Sequence, residues 1–327
     1  MHILILGAAG MVGRKLTERL VRDGRLGKDT ITKLTLQDVV APAKPDTTIP
    51  TEIVTCDFAM PGAVEPLVAG KPDTIFHLAA IVSGEAEADF DKGYRINLDG
   101  SRYLLEAIRA IGGGYKPRVV FTSSVAVFGA PFHDKIDDEF FLTPLTSYGT
   151  QKAIGELLLA DYSRRGFLNG IGIRLPTVCV RPGKPNKAAS GFFSNILREP
   201  LSGHEAVLPV SDDVRHWHAS PRSAVGFLLH AGTMDLQTLG WRRSLSMPGL
   251  SATTGEQIAA LARVAGPKVA ARVRREPDPV IMGIVAGWPR DFSAERALKV
   301  GFTTFEKTFD DIIRIHIEDE LGGNFVN

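Results

Sequence analysis

Short apolar runs alternate with longer stretches of helical period along this chain. Ile3-Leu4-Ile5-Leu6 places four apolar residues in a row, the signature of a strand buried on both faces as in parallel sheets. Further strands are predicted at Ile31–Asp38, Glu52–Cys56, Thr74–Ala80, Arg118–Phe121 and Ile171–Val180. Between them Leu16, Leu20 and Val21 recur at helical spacing within Arg14–Arg22, and Ile96, Tyr103, Leu104, Ala107 and Ile111 share one side of a helix over Tyr94–Ile111, closed by Gly112-Gly113-Gly114. A third helix opens over Pro144–Lys152 and continues through Glu156, Leu157, Leu158 and Tyr162. Strands alternating with helices predict an α/β fold around a doubly wound parallel sheet.

Beyond Val180 the pattern loosens. Short helices are expected at Ser190–Leu197, Val225–Ala231, Gly255–Ala265, Ala294–Leu298 and Phe305–Glu318, with a strand at Val269–Arg274, a closing segment over Asp278–Pro289 and a frayed tail from Gly322-Gly323. We therefore expect a nucleotide-type domain over 1–175, with return segments near 214–235, and a smaller C-terminal substrate lobe over 176–327.

Glycines at 7, 10 and 13 sit between the first strand and the first helix. Glycine triplets are common, but this one has the strand before it and the helix after it that a phosphate-binding turn requires. Lack of a Cβ permits the tight turn and close backbone approach to a pyrophosphate, and the helix N-terminus offers unpaired N–H groups to the anion. Gly7, Gly10, Met11, Val12 and Gly13 are thus expected to bind a dinucleotide in a Rossmann-type domain. Asp38, 25 residues beyond Gly13, ends the second strand where a carboxylate meets the adenosine ribose, which favours NAD. Arg14 keeps NADP open. Asp57 is placed to hydrogen-bond adenine and Phe58 to flank its ring. Leu78, Ala79 and Ala80 let ribose and pyrophosphate lie against the backbone. His77 reads as a packed strand residue. Ile81–Asp91 lacks apolar periodicity and is expected over the mouth of the site, with Ser83 touching substrate. Asn97, unfavourable inside a helix, implies a polar task.

Ser123-Ser124 ends the Arg118 strand, at the edge that faces the crevice of a parallel sheet. Tyr148 and Lys152 are four apart on one helix face. An ammonium beside a phenol favours the phenolate, a serine hydroxyl can hold the substrate oxygen, and hydride leaves to a nicotinamide.

The Gly7–Gly13 loop, Asp57-Phe58, His77-Leu78-Ala79-Ala80, Asn97, Ser123-Ser124, Tyr148 and Lys152 together resemble the extended short-chain dehydrogenases/reductases, the group of NAD-dependent epimerases and dehydratases. The resemblance implies Ser124 as catalytic serine, Tyr148 as base and Lys152 as the residue that binds nicotinamide ribose. It implies cofactor contacts from Asn97, Pro176 and Val178, and a homodimer through the Tyr94–Ile111 and Tyr148–Arg164 helices. Met1–Lys15, Leu36–Pro42 and Ile81–Glu87 further resemble the D-erythronate dehydrogenase branch, whose members oxidise C2 of a four-carbon sugar acid. Phe128 departs from the wider group, where Tyr often precedes the matching glycine, and this weakens the alternative of a nucleotide-sugar epimerase or dehydratase holding its NAD. A non-catalytic NAD sensor is expected to have lost the base or the lysine, and both are present.

A sugar acid calls for a cation, and guanidinium suits a planar carboxylate best. Arg181 and Arg215 are the candidates, with Arg174 behind them, and Asn195 and Trp217 are expected to line the pocket. Apolar and charged fractions of 44% and 23% are ordinary for a globular chain of 327 residues, and a net charge of +1 supplies no field for nucleic acid or an anionic membrane. The Arg272–Arg275 run reads as a solvated strand face. Cys56 and Cys179 lack metal-ligand spacing and read as reduced thiols, so no metal is expected. With no apolar run of bilayer length and no charged n-region, a cytoplasmic protein is expected.

Overall fold

The structure, a computed structural model, describes residues 1–183 and 190–326. Seven strands form the central sheet: β1 (His2–Leu6), β2 (Lys33–Asp38), β3 (Thr51–Thr55), β4 (Thr74–His77), β5 (Arg118–Ser124), β6 (Asn169–Leu175) and β7 (Ser244–Ser246). Their spatial order is β7-β6-β5-β4-β1-β2-β3, and every neighbouring pair is parallel. The order reverses at β1 and β4, which opens a crevice beyond their C-terminal ends. This is a Rossmann-type α/β fold.

β1 explains its own sequence. Ile3 and Ile5 point into one core with Leu16, Leu20, Phe76 and Phe227, while Leu4 and Leu6 point into the opposite one with Leu104, Ile108 and Phe121. A strand covered on both faces has no polar side to show, so its residues need not alternate. α1 (Met11–Asp23) belongs to the first face; α2 (Gly100–Ile111) and α3 (Ser147–Arg164) belong to the second. Leu4→Ala would cost about 2–5 kcal/mol in such a site.

After β6, Pro176 has no N–H with which to continue the ladder. The chain leaves the sheet there, and Thr177–Val178 pairs instead with Arg215–Ala219, itself antiparallel to Leu250–Thr253. The single strand anticipated over Ile171–Val180 is therefore two, in two sheets. A separate core lies beyond it, built by Phe193, Leu197, Leu261, Ile312 and Ile313 from α4 (Gly191–Leu201), α6 (Thr254–Ala265) and α7 (Phe309–Glu320). Between β6 and β7, α5 (Pro221–Thr233) returns to the first face of the central sheet.

Several local expectations are corrected. Ser83–Ala88, within the segment without apolar periodicity, is a helix. The helix expected from Tyr94 begins with a π-helical turn, Tyr94–Asp99, before α2. Asn97, Ser101, Leu104, Ala107 and Ile108 are buried, and Ile96, Tyr103 and Ile111 are half-buried against the same core as Leu104. Residues 267–270 are helical, and the strand starts only at Val273, with Arg274 and Arg275 exposed and paired to Glu276 and Asp212. The tail is pinned as far as Val326, whose N–H donates to Leu201 O and whose carbonyl accepts from Arg272. Lys184 lies outside the described residues. Among the described residues no helix is long and apolar enough to cross a membrane, and no group of His, Cys, Asp and Glu could hold a metal ion.

Candidate active site

The glycine turn is shaped by contacts that admit no side chain. Gly7 has φ +88°, and a Cβ there would lie 2.6 Å from Ala79 N. A Cβ on Gly13 would lie 2.2 Å from Gly7 O. α1 then starts at Met11 with no side-chain cap and no acidic residue in its first turn, so its N–H groups are free to meet an anion. Asp38 reaches this loop from β2: Oδ2 accepts from Ala9 N–H at 3.0 Å, and Oδ1 accepts from Val39 N–H at 2.7 Å.

From this turn a cavity of about 650 Å³ runs past the ends of β4 and β5 to the second lobe. Gly7, Gly10, Met11, Val12, Gly13, Leu78, Ala80, Pro176 and Val178 line it, as do Ser83, Ser124, Tyr148, Lys152, Arg181 and Asn195. The structure thus brings most of the expected residues to one space. Ala79 forms the floor under Gly7. Asn97 stands behind the wall: its amide accepts from Ile81 N–H at 2.9 Å, donates to Ile81 O, and donates to Gln151 of α3 at 2.8 Å. It holds the backbone that lines the cavity. Asp57 is occupied by Arg95 at 2.6 Å.

Four expectations are corrected by packing. Phe58 is 2% exposed, edge-on to His77 and beneath Gly100, so its ring cannot flank a ligand. Arg215 points away from the cavity to Glu256 and Ser251 O. Trp217 is buried against Phe292 and donates to Met247 O. Arg174 is committed to Glu156 and Asp138 in the interior. Arg215 and Trp217 share one face of their strand, and His216 on the opposite face lines the cavity instead. His216, Arg198 and Trp288 are lining residues that sequence reasoning missed.

Thr146 caps α3 through Gly149 N–H, and Glu87 accepts from Ser147 N–H, so Tyr148 sits in a well-anchored first turn. Ser124 Oγ accepts from Ala126 N–H at 3.1 Å, which leaves its own proton for another partner. Lys152 is 2% exposed and donates to Thr122 O at 2.8 Å. Burial pushes its ammonium down to about 8, against an upward pull from Glu156. Burial also pushes the Tyr148 phenol up, while the Ser124 hydroxyl and the Arg181 guanidinium pull it down. Arg181 is thus a cation acting on the phenol in addition to the expected Lys152. Lys152 Nζ lies 5.8 Å from the Tyr148 ring centre. Arg181 is held by Val178 O at 3.1 Å and Ser190 Oγ at 3.0 Å.

Residues 3–219 match the model of the NAD-dependent epimerase/dehydratase family. The chain belongs to that family. Over 323 residues it is 49% identical to a D-erythronate dehydrogenase of Cupriavidus necator, covering 98% of each chain, and over 321 residues 39% identical to one of Haemophilus influenzae, covering 98% of this chain and all of that one. A crystal structure described as a nucleoside-diphosphate-sugar epimerase from Agrobacterium tumefaciens superposes with a TM-score of 0.96 at 66% identity, covering 99% of this chain and 95% of that one. L-threonine 3-dehydrogenase from Trypanosoma brucei shares the fold, with a TM-score of 0.84 at 24% identity and 99% coverage of both chains. The chain is an enzyme, an NAD-dependent oxidoreductase. The glycine cradle and the open helix N-terminus fit the NAD pyrophosphate, and Asp38, bonded to Ala9 N–H of the turn, stands beside the cavity rather than in its lining.

Proposed function

We propose that this enzyme oxidises the C2 hydroxyl of a four-carbon sugar acid, D-erythronate, to 2-dehydro-D-erythronate. The observation that carries this reading is the placement of Arg181 in the same cavity as Tyr148 and Ser124. A carboxylate held by that guanidinium puts the adjacent carbinol within the neighbourhood of the phenol. The near-full-length similarity to two D-erythronate dehydrogenases supports the substrate class.

Ser124 donates its free proton to the substrate oxygen and orients it. Tyr148, as phenolate, takes the hydroxyl proton. Arg181 favours that phenolate and binds the carboxylate, and Lys152, anchored on Thr122 O, keeps a positive charge next to the ring. Bound at the Gly7–Gly13 turn, NAD would supply the hydride acceptor for the C2 carbinol. Mixing enzyme, NAD and a panel of sugar acids tests the reading by the absorbance of NADH. Turnover of D-erythronate is expected, and silence across the panel would refute it.

A nucleotide-sugar epimerase is the second reading, favoured by the description of the 66% identical structure. It predicts NAD released only on denaturation and no net NADH. We also propose a cytoplasmic homodimer through the Tyr94–Ile111 and Tyr148–Arg164 helices. Leu157 of α3 is 64% exposed, an apolar side chain for a partner to cover. Light scattering on the eluting protein checks the mass.

A further inference from the structure

Two cavity-lining side chains take no part in the chemistry above, yet they are wired to each other. Thr177 follows the break after β6, and His216 lies on the strand it pairs with. Both are buried, at 9% and 3% exposure. His216 Nδ1 is 3.1 Å from Pro289 O, and a carbonyl only accepts, so Nδ1 carries the proton. Burial lowers the imidazole to about 4, so the ring is neutral near pH 7 and Nε2 is a bare lone pair. That lone pair is 2.8 Å from Thr177 Oγ1, and the hydroxyl must therefore donate to it. Phe193, stacked at 5.2 Å with an interplanar angle of 4°, and Trp288, also at 5.2 Å, hold the ring in place.

The consequence is a hydroxyl with a fixed polarity. With its proton spent on His216, Thr177 offers the cavity lone pairs only. Elsewhere on the wall the polarity is opposite. Arg181 has no acceptor, and Asn195 presents amide protons because its Oδ1 already accepts from Arg198 Nη2 at 2.7 Å. We propose that His216 is a positioning residue that fixes Thr177 as a hydrogen-bond acceptor, through which the enzyme reads a substrate hydroxyl on a carbon other than the one oxidised. The donor part of the wall takes the carboxylate and Thr177 takes the distal hydroxyl. The inference rests on the sugar-acid reading and adds a selection rule to it: a 2-hydroxy acid with no further hydroxyl in that place is a poor substrate.

The test compares kcat/KM for D-erythronate with kcat/KM for its 3-deoxy and 4-deoxy analogues. The native enzyme is expected to disfavour one analogue by about tenfold or more, since a site built to bind a hydroxyl rejects a ligand lacking it. Thr177→Val should bring the two within about twofold, chiefly by raising KM for D-erythronate, whereas Thr177→Ser should keep the preference. His216→Asn retains a donor for Pro289 O but no acceptor at the Nε2 position, and should lose the preference as Thr177→Val does. His216→Gln, whose longer amide reaches that position, should restore part of it. Circular dichroism and NAD titration establish that each variant is folded. If His216→Asn does not fold, the comparison of Thr177→Val with Thr177→Ser decides. No preference in the native enzyme, equal losses on all substrates in Thr177→Val, or an undiminished preference in a folded His216→Asn would each overturn the inference while leaving the sugar-acid reading standing. Inactivity of the native enzyme on every sugar acid would overturn both.

Discussion

Gly10 and Gly13 lie three residues apart in one turn, yet the structure gives them different tasks that two single substitutions separate. A Cβ at Gly13 would sit 2.2 Å from Gly7 O and 2.8 Å from Ala8 Cα. Ordinary contact begins at about 3.4 Å, so relief takes a shift of about 1 Å, and both obstacles are backbone atoms that cannot rotate away. At Gly10 the added Cβ meets only Gly7 O, at 3.4 Å, which the fold tolerates. Gly10 has φ −65°, where alanine is unstrained, and its outer side is the cavity. Gly10→Ala is therefore expected to keep the native denaturation midpoint, or to gain about 0.4–1 kcal/mol from a less flexible unfolded chain. Its NAD affinity should fall, because the methyl occupies the space into which the pyrophosphate descends. Gly13→Ala should lose both. Forfeiting two charge-assisted N–H contacts at about 1.5–3 kcal/mol each weakens NAD by roughly 10²–10⁴-fold. Urea titrations and calorimetric NAD titrations on the two variants supply the four numbers needed. A Gly13→Ala protein with native stability and a Kd within a factor of about two of native would show that the turn is not packed against the start of α1 as described.

Tyr148→Phe should retain NAD affinity while kcat falls about 10²–10⁴-fold, the usual contribution of a general base, and full turnover would remove the role assigned to it. Arg181→Met should lower kcat/KM for the sugar acid by roughly 30- to 4,000-fold, the equivalent of about 2–5 kcal/mol for one partner of a buried charge pair. The same variant should lose less on the neutral amide of that acid, which forfeits only the pull of Arg181 on the Tyr148 phenol, and equal losses on both would refute carboxylate binding. His77, His216 and His316 are held neutral by burial at about 3, about 4 and about 4. Because the unfolded chain binds these protons from pH 6.5 downward and the folded one does not, stability falls as pH drops through that window. At pH 5 each histidine accounts for about 2 kcal/mol. Equal urea midpoints at pH 7 and pH 5 would contradict that burial.

What could be read from the sequence was whatever a local rule dictates. β1 has no polar face, and Gly7 and Gly13 stand where only glycine fits, so strand, turn and helix N-terminus were legible together. The four-residue spacing of Tyr148 and Lys152 was legible for the same reason. Positions set by tertiary packing were not. Ser83–Ala88 lacks apolar periodicity because it docks through Ala86 and Glu87 rather than through a stripe. Arg198 sits beside Glu199 and Pro200 and reads as surface, but α4 turns its guanidinium inward to Arg181 O and Asn195. The Arg215–Ala219 strand did carry a usable signal: a period of two sets His216 and His218 against Arg215 and Trp217. The segment also leads into the Val225–Ala231 helix, which masks the alternation, and Arg215 and Trp217 lie on the face away from the cavity.

The buried ions next to the site explain how the three groups proposed for catalysis, Ser124 on β5 and Tyr148 and Lys152 on α3, stay in register. Glu156 stands one turn beyond Lys152 on α3. Its carboxylate accepts from Arg174 of β6, with Nε–Oε1 at 2.9 Å and Nη2–Oε2 at 2.8 Å, and from Ser123 of β5 at 2.5 Å. Arg174 Nη1 reaches Asp138 at 3.0 Å, and Asp138 also takes Ser246 N–H of β7. One cluster thus joins α3 to three neighbouring strands. Ser123 precedes Ser124, and Lys152 and Tyr148 precede Glu156 by one and two turns, so the cluster fixes serine, phenol and ammonium relative to one another. Buried ion pairs of this kind add little net stability, because desolvation offsets much of their attraction. Their geometry is strict, however, and bidentate contact tolerates neither rotation nor sliding of α3 on the sheet. Alignment of the groups proposed for catalysis accounts for burying these charges better than stability does.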